Sequence, residues 1–143
     1  MNKWLTATWF ALFIPFIIAG ISGGPEGPWG HGAFHLGYIA FAMAAVMFLW
    51  RLRSASASRP VRAGAVALAC AQLLLVAGQI GELIVVATHN GPHAGEDALL
   101  DRAHEMAALA LTAPGLLLSL VGIIVLTTVA IVSSRRSAQR LLA

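Results

Sequence analysis

The chain has a single cysteine, Cys70, inside an apolar run, so neither an intrachain disulfide nor a multi-cysteine metal cluster can form within one copy. Charge is scarce too. Asp, Glu, Lys and Arg together make up 10% of the 143 residues, against roughly a quarter in soluble domains. No G-x-x-x-x-G-K-[S/T] phosphate loop, G-x-S-x-G elbow or Cys-x-x-Cys pair occurs, and His104-Glu105 lacks the second histidine of an H-E-x-x-H zinc motif. The four apolar runs show no internal repeat.

What fills the chain instead is hydrocarbon: 59% of residues are hydrophobic and the mean hydropathy is +0.82. Such a composition belongs to integral membrane proteins, with the lipid bilayer as first partner. The pI near 10.0 would suggest nucleic acid in a soluble protein. Here the basic residues mark topology, and no nucleic-acid partner is expected.

Apolar runs over 4–22, 31–50, 63–88 and 103–133 each reach the roughly 20 residues that cross a bilayer as helix. They predict one all-α domain over residues 1–143, an integral membrane four-helix bundle. The last two runs exceed the minimum, so tilt is expected. Lys3, then Arg51, Arg53, Arg59 and Arg62, then Arg135, Arg136 and Arg140 fall at the start, in the second connection and at the end. By the positive-inside rule both termini are cytoplasmic, which suits the inner membrane of a bacterium. Arg102 alone is left on the other side, with the acidic residues and all five histidines.

The first run could be read as a cleaved signal peptide, but it is longer than the usual h-region, and a retained helix is expected. Pro15 should kink it, with Thr8 or water satisfying the freed carbonyl. Gly23–Gly30, rich in Gly and Pro, cannot continue a helix and forms an outer loop. The segment 51–62 reads as a flexible connection beside anionic lipid.

Polar residues inside the membrane are costly and point to function. His31 and His35 stand one helical turn apart at the start of the second run. His31 has a bland reading at the interface, whereas His35 is deeper and needs a protein partner. On the third run Gln79, Glu82 and His89 share a sector at about 100° per residue. Glu82 is deep enough to need a proton, a cation or a metal beside it, although an acid bridging two helices would serve equally. The fourth run opens with Asp101, His104 and Glu105. It continues with Ala108, Thr112, Gly115, Ser119 and Gly122, a small-residue stripe that reads as close helix packing. Pro114 should bend this helix.

Three functions follow. The first is b-type haem, with His35 and His104 as axial ligands and Gly37, Gly78 and Gly81 making room, exchanging electrons with quinone or a partner subunit. The second is a non-haem centre in which His31, His35, Glu82, His104 and Glu105 are the candidate ligands of Zn, Fe, Mn or Cu, with redox or metal-dependent chemistry. The Glu-x-x-His pairing of di-iron bundles is absent. The third is a cofactor-free accessory or scaffold subunit of a larger membrane complex, whose polar cluster fixes helix packing. A homo-oligomer could complete the site at an interface. Whether the chain is an enzyme is left open by its sequence.

Overall fold

Apolar segments in lipid must satisfy their own amides, which leaves helices and closed barrels as the spanning structures. The computed structural model describes residues 2–22, 30–89, 102, 105–106 and 108–142, without the side chains of Ala19, Ser22, His31, Val86, Thr88, His89, Ser137, Arg140, Leu141 and Leu142. Among the described residues it is an all-α bundle with α1 (Lys3–Ser22), α2 (His31–Ala55), α3 (Arg59–His89), a π-turn (Ala108–Thr112) and α4 (Ala113–Leu142). Three stretches are long and apolar enough to cross a membrane: Gly32–Ala55, Arg59–Val85 and Ala108–Arg136. The apolar part of α1, Lys3–Ile18, is shorter. These spans make the chain a membrane protein.

The helices run antiparallel in chain order. Trp4 stacks near Phe48 and Phe16 meets Tyr38 edge-on, joining α1 to α2. His35 faces Gln79 across α2 and α3. Along α3 and α4, Gly64 abuts Leu126, Leu68 abuts Gly122 and Leu75 abuts Gly115. The small-residue stripe of the sequence is therefore the α3–α4 seam, where missing side chains let the helix axes approach. By contrast α1 reaches α4 at a polar clasp, Trp9 Nε1 donating to Thr127 Oγ1 at 2.9 Å.

Three expectations are corrected. The flexible connection at 51–62 shrinks to residues 56–58, because α2 continues through Ala55 and α3 begins at Arg59. Alanine and arginine favour helix, and Pro60 sits in a first turn, where its missing N–H has no intrahelical bond to lose. Secondly, Thr8 does not serve the carbonyl freed by Pro15. Its hydroxyl donates to Trp4 O at 2.8 Å. Thirdly, α4 does not run unbroken from residue 103: a π-turn occupies Ala108–Thr112, directly before Pro114. Proline has no N–H to bond the preceding turn and its ring crowds it, so the backbone widens there.

Candidate functional site

Polar side chains form a ladder on one face of α3. Gln72, Gln79 and Glu82 are separated by seven and three residues, spacings that keep them in one sector of a helix. All three are buried, at 1%, 4% and 4% exposure. Gln72 Nε2 donates to Ser119 Oγ, and Ser119 Oγ donates in turn to Gly115 O at 2.5 Å. Two helical turns further on, Gln79 Nε2 faces Thr112 Oγ1 at 3.4 Å while its Oε1 lies 2.6 Å from His35 Nδ1.

This geometry sets the state of His35. A carbonyl oxygen cannot donate, so Nδ1 carries the proton and donates to Gln79 Oε1. In the neutral imidazole Nε2 is then the lone-pair nitrogen, able to accept a proton or ligate a metal. His35 itself is 6% exposed and lies edge-on to Phe34 at 5.5 Å between centroids. Gly32, one turn before it, packs opposite Leu83. The start of α2 and the Gln79–Leu83 turn of α3 are thus at one level, and Glu82 belongs to the same end of the bundle as His35.

The π-turn shapes the third wall. A Cβ on Gly78 would lie 2.9 Å from the Thr112 backbone nitrogen and 3.2 Å from Leu111 Cβ. The absence of a side chain at Gly78 lets the widened turn press against α3 and brings Thr112 within reach of Gln79. Gly78 was expected to make room for haem; the packed π-turn fills that room instead. Gly37 faces open space, with nothing within 4 Å of an added Cβ.

Further along, where all four helices converge, Pro15, Tyr38, Gln72 and Ser119 help line a cavity of about 20 Å³. That is room for one water. Ala11, whose carbonyl Pro15 cannot bond, lines the same cavity.

Of the sequence-predicted site residues, His35 and Glu82 are buried at one end, as their depth demanded, and Glu105 is exposed. An exposed Glu105 does not join the buried ladder. His104 lies outside the described residues, as does the side chain of His31, so the axial pair His35–His104 is not described. Among the described residues no group of three or more His, Cys, Asp or Glu side chains is placed to hold a metal ion. Sequence reasoning sets Gln79 on the polar sector of the third run but does not pair it with His35, and it reads Thr112 as packing alone. Comparison with protein-family models, with curated proteins and with solved structures found no match.

Proposed function

We propose that the protein works through an imidazole-and-acid site of His35 and Glu82 in the membrane, and that a non-haem transition-metal ion occupies it. The observation behind this is the 2.6 Å contact from His35 Nδ1 to Gln79 Oε1. A ligating histidine characteristically donates its other N–H to an acceptor, which fixes tautomer and ring orientation. Gln79 supplies that acceptor, and Thr112 orients the amide in its turn. Glu82, one turn along the same face, adds an oxygen donor, and Zn, Fe, Mn and Cu all accept mixed imidazole and carboxylate ligands. The remaining donors would come from His31 or His104, or from a second copy or larger membrane complex. Haem is disfavoured between α3 and α4, because Gly78 and Gly115 bring those helices to backbone contact.

The site also acquires an orientation. Lys3, Arg51, Arg53, Arg59, Arg62, Arg135, Arg136 and Arg140 are eight of the nine basic residues, and Asn2, Ser58 and Ser133 line one cleft among them. We place that end, with both termini, in the cytoplasm of a bacterium and the His35–Glu82 end toward the outer face of its inner membrane.

Elemental analysis and a visible spectrum of the purified protein test the proposal. Near-stoichiometric metal, lost in His35→Ala and in Glu82→Ala and without a Soret band, is the expected result. A Soret band abolished by His35→Ala would replace the ion with haem, and metal at blank level would leave no centre. Glu82→Gln should lose metal as fully as Glu82→Ala; retention would make Glu82 a bridge between helices.

A second reading is favoured by the Gln72–Ser119 and Gln79–Thr112 pairs, which join α3 to α4 and to the π-turn before it through protein groups alone. In it the chain is a cofactor-free accessory or scaffold subunit whose ladder sets helix register.

A further inference from the structure

Among the described residues the basic end has no counter-charge of its own. The six acidic residues are Glu26, Glu82, Glu96, Asp97, Asp101 and Glu105, and the two that are described, Glu82 and Glu105, belong to the opposite half of the chain's helices. Against them stand Lys3 and six arginines with described side chains at this end. Like charges gathered without carboxylates repel unless anions come from outside.

Two grooves at this end have the form to receive one. A groove of about 590 Å³ between the last turn of α2 and the first turns of α3 is lined by Arg53, Ser54, Arg62, Ala63, Val66 and Ala67. Arg53 is held in place there, its guanidinium carbon 4.6 Å from the Trp50 ring centroid. Beside it a groove of about 520 Å³ follows α2 past Met43, Met47 and Trp50 to Arg51 and Ser54. Ser54 lines both. Each groove therefore has a cationic mouth at the helix ends and an apolar floor running toward mid-membrane, where Met47 and Val66 are 60% and 41% exposed.

We infer that this surface is a binding site for an anionic phospholipid. Its phosphodiester sits between Arg53 and Arg62, with the Ser54 hydroxyl as a further donor. One acyl chain follows Ala63, Val66 and Ala67, and the other follows Met43 and Met47. Guanidinium groups match phosphate oxygens in a planar, two-pronged geometry that ammonium groups lack. Volumes in this range are those of ordinary small-ligand sites. A soluble phosphate would use the same arginines but would leave the apolar floors bare, which favours the lipid.

The full-length chain, reconstituted in mixed phosphatidylcholine and phosphatidylglycerol vesicles and extracted in mild detergent, provides the test through lipid mass spectrometry. Phosphatidylglycerol should be retained in preference to phosphatidylcholine. Each arginine should contribute about fivefold, so that Arg53→Ala/Arg62→Ala loses the preference while Arg135→Ala/Arg136→Ala keeps it. The Arg53→Lys/Arg62→Lys variant, which preserves charge and is the less disruptive change, should fall between wild type and the alanine pair. Equal retention of both lipids by the wild type, or unchanged preference in both Arg53/Arg62 variants, would overturn the inference. So would displacement of phosphatidylglycerol by millimolar inorganic phosphate, which would assign the arginines to a soluble anion.

Discussion

Toward its basic end the bundle closes on Leu5, Leu49, Leu52, Leu68, Ile123 and Leu126, none more than 2% exposed, whereas toward the other end the same helices bury Gln72, Gln79, Glu82 and His35. In lipid the two halves cannot be held by the same force. Leucine leaving hydrocarbon for a leucine-rich interior gains packing but little transfer energy, so the aliphatic half depends chiefly on shape, with the Trp9–Thr127 hydrogen bond beside it. The polar half depends on partners, since an amide or imidazole facing acyl chains has none. The glycines follow the same division. A Cβ on Gly64 or Gly122 would meet the tip of a leucine, Leu126 Cδ1 at 3.1 Å or Leu68 Cδ1 at 3.0 Å. On Gly78 or Gly115 it would meet backbone, Thr112 N at 2.9 Å or Leu75 N at 3.0 Å.

The sharpest way to break this contrast is to add one methyl group in each half. Gly78→Ala should destabilise the bundle by about 3 kcal/mol, the upper part of the range for overpacking, because the opposing π-turn cannot rotate away. Gly122→Ala should cost under about 1 kcal/mol, since Leu68 can change rotamer. Gly37→Ala, in open space, should be near neutral. Unfolding of the reconstituted protein by steric trapping or denaturing detergent would rank the three, and equal costs for Gly78 and Gly122 would abolish the distinction.

In the aliphatic half the next largest effect is expected at Leu49, which is fully buried in the core cluster. Leu49→Ala should cost about 2 kcal/mol, at or below the low end for water-soluble cores because lipid removes part of the transfer term. Leu49→Met, which keeps the volume, should cost less than about 1 kcal/mol. If the half is held by shape, the same unfolding assay will separate the two variants clearly.

How far these halves could be read in advance follows from the type of signal each leaves. Twenty-residue apolar runs and Gly115-x-x-x-Ser119-x-x-Gly122 are one-dimensional patterns, so the bundle and a close-packing face on its last helix were legible, though not that α3 would be the partner. His35 and Glu82 were legible through the cost of polar groups at depth. Gln79 as the partner of His35 was not, because pairing across α2 and α3 depends on helix register, which sequence spacing within one helix does not fix. The π-turn was half-legible: Pro114 announced a disturbance, but whether the backbone kinks or widens is decided by what it packs against, here Gly78. Ends of helices were the weakest, since serine and arginine at 51–62 discourage helix too little to stop α2 before Ala55.

The smallest energetic effect is expected in the ladder, yet it is the most informative about function. Gln79→Leu removes the acceptor of His35 Nδ1 and the partner of Thr112, and Gln72→Leu removes the partner of Ser119. Hydrogen bonds between membrane helices average about 0.6 kcal/mol and reach about 1.7 kcal/mol, so the stability losses should be similar, near 1 kcal/mol each. The imidazole should tell them apart. Nitrogen NMR of labelled His35 should show the proton fixed on Nδ1 in wild type and in Gln72→Leu, and a mixture of tautomers in Gln79→Leu. A scaffold needs only the stability that both glutamines supply, whereas a ligating histidine needs its tautomer. Metal content that falls in Gln79→Leu but persists in Gln72→Leu would therefore show that the polar half orients a donor as well as joining helices, and equal content in both would reduce it to a joint.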